Sequence, residues 1–256
     1  MLTGFMGFFR KYSIWFGVVA VVVAATALVN IIYPQMSVDT AWVCVRDKCD
    51  EKVFLIHGEV KGPSVSWVWL RLEQKLSKNP DVKTVCIASQ GGVSADAMEI
   101  ADNINAHGFD TCLASKYVID NDSRDVVDGV CQSACIWMVL AGKERILYDD
   151  KLEMGFHAAR NIFGERADDD LDLFNDKVQF FTRHRKMAGV EYWRLAGLTW
   201  WAFHQGATSK TTDCTAHEVQ SKYPYFTDIR SWSGYLPDTC GLLRPEDVKR
   251  SFKRIP

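Results

Sequence analysis

Apolar and polar positions alternate along this chain with two different periods. A period of two or an unbroken short apolar run predicts strands over 52–60, 82–88, 110–115 and 145–148, and a helical period predicts helices over 64–76, 94–107, 133–141, 168–187 and 191–203. The nearly all-apolar run at 82–88 is typical of a strand that is buried on both faces of a sheet. Because strands and helices follow one another in turn, the pattern predicts an α/β fold with mainly parallel pairing.

The N-terminal part departs from this rhythm, because no charged residue occurs over 12–38. Residues 14–33 form a twenty-residue apolar run without a polar stripe, long enough to cross a hydrocarbon core of about 30 Å. Arg10 and Lys11 precede the run, which predicts a cytoplasmic N-terminus and export of the remaining chain. We therefore predict an uncleaved signal anchor, with cleavage at the small-x-small site 25–27 as the alternative.

Composition narrows the range of functions. The 30 basic and 32 acidic residues give a net charge of −2, so no basic excess is present to drive nucleic-acid binding. The 48% of apolar residues is the share of a folded globular chain. In an exported domain the eight cysteines are expected to form disulfides. Their connectivity stays open, apart from the local pairs Cys44–Cys49 and Cys214–Cys240; free buried thiols would require the inverted topology.

Candidate chemistry occurs at three places. The segment 89–92 (SQGG) follows a buried strand and precedes a helix, where paired glycines allow backbone N–H groups to face a ligand. The segment 131–135 (CQSAC) puts Ser133 at the start of an apolar helix, where a developing negative charge is favoured. His157 follows 24 residues later, at a predicted strand end. Taken singly, each has a structural explanation: a tight turn, a helix cap and a structural histidine.

Together these motifs resemble the Clp-type proteolytic subunits and the wider crotonase-like superfamily, especially their membrane-anchored or periplasmic bacterial relatives. The resemblance covers about residues 52–223 and also includes Gly58-Glu59-Val60, Ala141-Gly142-x-x-Arg145 and Gly155-Phe156-His157. It implies a spiral of repeated ββα units, here behind an N-terminal transmembrane helix.

The resemblance implies a role for each matching residue. Ser133 corresponds to the nucleophile that begins the central helix, and His157 corresponds to its base. The oxyanion hole corresponds to the backbone N–H groups of Gly92 and Ala134, and Gly91 supports the turn. The implied reaction is acyl transfer at a peptide carbonyl.

The third catalytic position departs from the family pattern. Relatives orient the histidine with an acidic residue after the long helix, but residues 207–215 of this chain read ATSKTTDCT. Asp213 is the nearest acid and is displaced by one or two residues. Either Asp213 serves, or the site is a Ser-His dyad, or the site is inert.

The implied protein is a serine peptidase without a cofactor or metal, acting on a protein or peptide substrate. We expect residues 1–13 in the cytoplasm, a single pass through the bacterial inner membrane at 14–33, a linker over 34–51, the periplasmic domain over 52–223 and a loop-like tail over 224–256. Because relatives assemble into trimers, hexamers or larger rings, we expect a homo-oligomer, with the aromatic helix 191–203 as a contact surface.

Two other functions remain open at this point. One is an inert binding or scaffolding module of the same fold at the cell envelope. The other uses Cys131, Cys135 and His157 as zinc ligands, or the two cysteines as a redox pair. Structural zinc normally requires four ligands, and a disulfide that brackets the Ser133 turn explains the two cysteines as well. A cysteine nucleophile at 131 or 135 conflicts with the resemblance, which puts serine at the key position.

Overall fold

The structure of the protein is a computed structural model that describes residues 36–46, 48–61, 64–158, 169–184, 192–205, 211–234 and 238–247. The predicted membrane anchor at 14–33 lies outside these ranges. Within them, no helix is both long and apolar enough to pass through a bilayer. By its internal contacts the chain divides into residues 1–35 and 36–256, and the elements named below belong to the second unit.

The strands of the described residues form two sheets. They are β1 (Ser37–Val45), β2 (Lys48–His57), β3 (Thr84–Ala88), β4 (Asp110–Leu113), β5 (Lys116–Ile119), β6 (Val126–Asp128), β7 (Cys131–Gln132), β8 (Arg145–Leu147), β9 (Glu153–Phe156), β10 (Thr212–Thr215) and β11 (Asp228–Ile229). The larger sheet has the order β11-β8-β4-β3-β2-β1-β5-β6, and the smaller has the order β10-β9-β7. From β2 to β11 the larger sheet is parallel, whereas β1, β5 and β6 extend it with antiparallel pairs.

The helices of the described residues are α1 (Ser64–Lys78), α2 (Ser94–His107), α3 (Cys135–Leu140), α4 (Asp169–His184), α5 (Tyr192–Phe203) and α6 (Ala216–Lys222). Helix α2 ends at Gly108, which adopts φ +69° and donates its N–H to the last turn. Helix α6 begins with a capping box between Thr215 and Glu218. The mixed α/β class expected from the sequence is confirmed.

The core lies on both faces of the larger sheet. Phe54 and Ile56 of β2 belong to one buried cluster, which includes the helices, and Val53 and Leu55 belong to a second cluster. All five residues of β3 are buried. Burial on two faces explains why the central strands read as continuous apolar runs in the sequence.

The sequence interpretation differs from the structure at both ends of the domain. The predicted linker 34–51 contains strand β1 and the first residues of β2, and the predicted tail 224–256 contains strand β11. The sequence pattern does not predict β1, because Asp39 interrupts its apolar positions. The Asp39 carboxylate contacts His57 Nε2 at 3.0 Å and Lys75 Nζ at 3.3 Å, so the strand can hold a charged residue within the sheet.

All eight cysteines are paired. The disulfides are Cys44–Cys49, Cys86–Cys112, Cys131–Cys135 and Cys214–Cys240. The two local pairs that were expected from the sequence are confirmed. The pair Cys86–Cys112 was not expected, because it depends on β3 and β4 being neighbours, and the register of these strands puts the two residues opposite each other.

Candidate active site

Short parallel pairings bring the three candidate motifs together. Ser89, directly after β3, forms a parallel bridge with Cys131, and its carbonyl accepts the N–H of Gln132 at 3.0 Å. Gln132 in turn pairs with Gly155 in β9. The glycine turn, the CQSAC segment and the strand before His157 therefore lie side by side, at the ends of successive strands.

Ser133 adopts a left-handed conformation, with φ +53°. Few non-glycine residues adopt this conformation. Its N–H donates to the carbonyl of Gly155 at 2.8 Å. Ala134 is the N-cap residue of α3 and no side chain caps this helix, so the helix-cap interpretation of Ser133 is wrong. We call residues 131–135 the serine elbow.

Two backbone donors beside Ser133 are unused. The N–H groups of Gly92 and Ala134 donate to no acceptor among the described residues, whereas the N–H of Gly91 donates to Ser89 Oγ at 3.0 Å. Gly91 packs against the serine elbow so closely that a Cβ there would lie 2.7 Å from Ser133 Cβ and 2.9 Å from the Ala134 nitrogen. The turn and the elbow thus each present one N–H group without an acceptor in the described part of the chain, and Gly91 packs between them against Ser133.

The imidazole of His157 has a defined tautomer. Its Nδ1 lies 2.6 Å from the carbonyl oxygen of Ala158. Because a carbonyl oxygen only accepts, Nδ1 carries the proton and Nε2 keeps the lone pair that a general base requires. No hydrogen bond joins Ser133 to His157 in the described structure.

Ser133 and His157 line one cleft whose other walls are mostly apolar. Its main lining residues are Ile136, Trp137, Phe156, Phe174, Leu198 and Phe203. Trp137 and Phe174 meet edge to face, with ring centroids 4.0 Å apart. Sequence reasoning did not identify these walls. Ile136 and Trp137 follow Ser133 by three and four positions, and this helical spacing is a signal that could have identified them.

The structure does not bring Asp213 onto His157. In the antiparallel pairing of β9 and β10, Asp213 lies opposite Gly155, and Thr212 lies opposite Phe156. The exposed Asp213 carboxylate accepts a hydrogen bond from Thr211 Oγ1 at 2.6 Å. A catalytic role for Asp213 stays a prediction.

The cysteines do not offer a metal site in the described structure. Cys131 and Cys135 are joined to each other, so their sulfurs are not thiolate ligands. The group Cys214, Glu218 and Cys240 has the spacing of a metal site, but its two sulfurs also form a disulfide. The carboxylate of Glu218 accepts several protein hydrogen bonds, which leaves this group unsuited to a cation.

Comparisons with known proteins give similarities of fold. No protein-family model and no curated protein matches the sequence. Among solved structures, the chain is similar to a ClpP1 variant from Listeria monocytogenes, with 17% identity, 70% of this chain and 91% of that chain covered, and a TM-score of 0.45. It is also similar to the ClpP protease catalytic domain from Plasmodium falciparum, with 13% identity, coverage of 72% and 86%, and a TM-score of 0.44.

A third similarity is to a variant of the 1510-N membrane-bound stomatin-specific protease, with 13% identity, coverage of 69% and 78%, and a TM-score of 0.42. At such identities and TM-scores, these similarities transfer neither an activity nor a site residue to this chain.

Proposed function

We propose that this protein is a serine hydrolase of the peptidase type. Ser133 Oγ attacks a peptide carbonyl, His157 Nε2 accepts the proton, and the N–H groups of Gly92 and Ala134 hold the oxyanion. The observation that carries this proposal is the serine elbow: Ser133 is left-handed, lines one cleft with His157 and adjoins two backbone donors without acceptors in the described structure.

The second half of the reaction uses the same groups. His157 returns its proton to the leaving amine, and an acyl group stays on Ser133 Oγ. Water then attacks this ester while His157 accepts its proton, and His157 returns that proton to Ser133 Oγ as the C–O bond breaks and the acid product leaves. The apolar walls around Trp137 and Phe174 favour a substrate with a large uncharged group beside the scissile bond.

The base is proposed to act in a dyad rather than a triad. The carbonyl oxygen of Ala158 lies 2.6 Å from His157 Nδ1 and accepts its N–H. This hydrogen bond orients the imidazole, as a carboxylate does in a catalytic triad. Asp213 is kept as the candidate acid, with a smaller effect expected, because its carboxylate is hydrogen-bonded to Thr211.

The proposal extends to fold details, location and assembly. The parallel pairings Val60–Gly92, Ser89–Cys131 and Gln132–Gly155 support a Clp/crotonase-like spiral of repeated ββα units. We further propose an anchor at 14–33 in the bacterial inner membrane and a periplasmic domain, which the pairing of all eight cysteines supports. Exposed Phe180 and Trp193, on the adjoining helices α4 and α5, support a homo-oligomer.

Labelling with a fluorophosphonate tests the catalytic assignment on the full chain in detergent. We expect label on the wild type, no label on Ser133→Ala, which lacks the nucleophile, and labelling slower by about 10²–10⁴-fold for His157→Ala. Asp213→Asn should change the rate by less than about tenfold, since the dyad does not require it. Ser66→Ala, on the exposed face of α1, is the control that keeps the wild-type rate.

Two outcomes would change the assignment. Slowing of Asp213→Asn to the level of His157→Ala would replace the dyad by a triad. A folded wild type that never labels would refute the hydrolase. The second candidate, an inert peptide-binding module, would then take its place; the missing hydrogen bond between Ser133 and His157 in the described structure favours this candidate.

A further inference from the structure

The Cys131–Cys135 disulfide spans the nucleophile symmetrically. Cys131 lies two residues before Ser133, in β7. Cys135 lies two residues after Ser133 and is the first residue of α3. Both cysteines are fully buried. A bridge over five residues contributes less to global stability through loop closure than a bridge between distant residues, because that effect grows with loop length. Its position at Ser133 therefore calls for a local explanation.

The conformation that the bridge encloses is one that the local sequence does not favour. A left-handed conformation costs a non-glycine residue about 1–2 kcal/mol, and Ser133 has φ +53°. Devices that commonly fix such a helix start are missing here, since α3 has no side-chain cap and Ser133 Oγ bonds to no other described group. The local restraints on Ser133 include the hydrogen bond of its N–H to Gly155, the hydrogen bond of its carbonyl from the N–H of Ile136 at 3.2 Å, the close contact with Gly91 and the disulfide.

Release of this conformation would move the reacting groups. The N–H of Ala134 belongs to the peptide plane that follows Ser133, so rotation about the Ser133 backbone turns this donor away. The same rotation re-aims Ser133 Oγ relative to His157. Without the bridge, the elbow could relax toward the common φ region while the sheet and the other disulfides stay intact.

We propose that Cys131 and Cys135 are positioning residues, whose disulfide holds Ser133 and the Ala134 N–H in the reactive arrangement. This inference rests on the hydrolase proposed above for its catalytic meaning, but its structural content, a serine elbow that relaxes without the bridge, can be measured separately. The bridge acts through Ser133 and touches no substrate. It is required for the maximal rate of acylation rather than for binding in the cleft.

The chain offers a direct test, because the tryptic peptide 125–143 contains Cys131, Ser133 and Cys135 and no other cysteine. Wild-type full chain is partly reduced with a phosphine, labelled with fluorophosphonate, denatured in iodoacetamide and digested. Mass spectrometry then reads the label and the state of the bridge on the same peptide. We expect the label on bridged peptides at least tenfold more often than on alkylated ones. Equal labelling of both would overturn the inference.

A variant pair adds the kinetic readout. Cys131→Ala with Cys135→Ala removes the bridge without burying a hydroxyl group, and Cys44→Ala with Cys49→Ala is the matched control, a bridge of similar span in the β1–β2 hairpin. We expect the 131/135 double variant to lower the maximal labelling rate about 10²-fold, which is the effect of losing one oxyanion donor. The concentration of fluorophosphonate that gives half of the maximal rate, KI, should not change. The control should keep the wild-type rate. A wild-type rate in both pairs, or a loss confined to KI, would contradict a positioning role.

Hydrogen exchange separates failure of this inference from failure of the hydrolase. Peptide 125–143 includes the Ser133 amide, which donates to Gly155 at 2.8 Å. We expect faster exchange in this peptide of the 131/135 variant, with unchanged exchange in the strands β2 and β3. If the wild type never labels, the hydrolase fails and exchange alone decides the inference. If peptide 125–143 exchanges at the same rate in the 131/135 variant and in the wild type, the positioning role is refuted, whether or not the wild type labels.

Discussion

The serine elbow and the buried carboxylates of Asp150 and Glu218 lie in one domain but differ in how many of their polar groups are hydrogen-bonded. At the elbow and the adjoining glycine turn, the N–H groups of Ala134 and Gly92 have no acceptor in the described structure. Asp150, by contrast, accepts the N–H and hydroxyl of Ser233, each at 2.6 Å, and contacts His217 Nδ1 at 3.0 Å. We call Asp150 and Glu218 the carboxylate anchors.

Both anchors connect distant parts of the chain. Glu218 accepts hydrogen bonds from Thr215 in its own capping box and from the backbone and side chain of Thr239. Asp150 connects the loop after β8 to residue 233, which lies 83 positions later. Unpaired polar groups lower stability, and paired buried ones raise it. This domain thus holds its C-terminal part with carboxylates that accept several hydrogen bonds. Next to Ser133 it keeps two donors that have no acceptor among the described residues and that a reaction can use.

The largest loss of stability and labelling is expected for Gly92→Ala, in the glycine turn beside the serine elbow. Gly92 has φ +140°, and a Cβ there would lie 2.0 Å from the Val60 carbonyl oxygen. We expect a loss of unfolding free energy of about 3 kcal/mol in urea denaturation and a fall in labelling of about 10²–10³-fold. Gly234→Ala is the control, because φ there is +80° with open space around it. Equal losses in both variants would show that close packing at the turn is unimportant.

Removing an anchor should cost less stability and leave the chemistry unchanged. We expect Asp150→Asn or Glu218→Gln to lower the unfolding free energy by about 2–3 kcal/mol, since each removes a charged acceptor of several hydrogen bonds. Asp228→Asn, in an exposed ion pair with Arg230, should cost less than about 0.5 kcal/mol. Loss of labelling in a folded anchor variant would show that the carboxylate anchors also affect the chemistry at the serine elbow.

The anchors also predict an acid dependence of stability. Burial alone would raise the pKa of the Asp150 carboxyl, but hydrogen bonds from Ser233 and His217 outweigh burial and hold this pKa below its ordinary value. A pKa lower in the folded state than in the unfolded chain gives stability that is complete above about pH 4 and is lost as pH falls through the folded pKa. We therefore expect the unfolding free energy, measured by urea denaturation at a series of pH values, to fall more steeply from about pH 5 to pH 2 for the wild type than for Asp150→Asn. Parallel curves would remove Asp150 as the cause.

The smallest effect expected distinguishes strain from chemistry at Ser133. Glycine adopts the left-handed conformation without a Cβ penalty, although it loses more entropy on folding. Ser133→Gly should therefore raise the unfolding free energy by about 0.5 kcal/mol and abolish labelling, whereas Ser133→Ala abolishes labelling without this gain. A destabilised Ser133→Gly would mean that the elbow is not strained.

Much of the fold could be predicted from apolar periodicity, because the central strands and the long helices have the strongest patterns. The range predicted for the fourth helix was 168–187 and that for the fifth was 191–203, and the structure has Asp169–His184 and Tyr192–Phe203. Strand β1 could not be predicted, since its charged Asp39 is compensated by His57 and Lys75, which lie 18 and 36 positions away. Sequence windows do not contain such distant partners.

The candidate site divides in the same way. The motifs around Gly91, Ser133 and His157 could be identified in the sequence, because tight turns and helix starts are local features. The apolar walls at Phe174, Leu198 and Phe203 come from helices that follow much later in the chain. The sequence suggested Asp213 by its approximate position alone, and the register of β9 and β10 puts it opposite Gly155.

The sequence alone was enough to predict the α/β class, the local motifs and the Cys44–Cys49 pair, because each depends on residues that are close together in the chain. Tertiary structure decided what those motifs can do. It put Ser133 in a left-handed elbow beside two N–H groups that have no acceptor among the described residues, directed the His157 Nδ1–H to Ala158 and paired Cys86 with Cys112 across neighbouring strands. These outcomes depend on strand order and register, which are set by packing of the whole core.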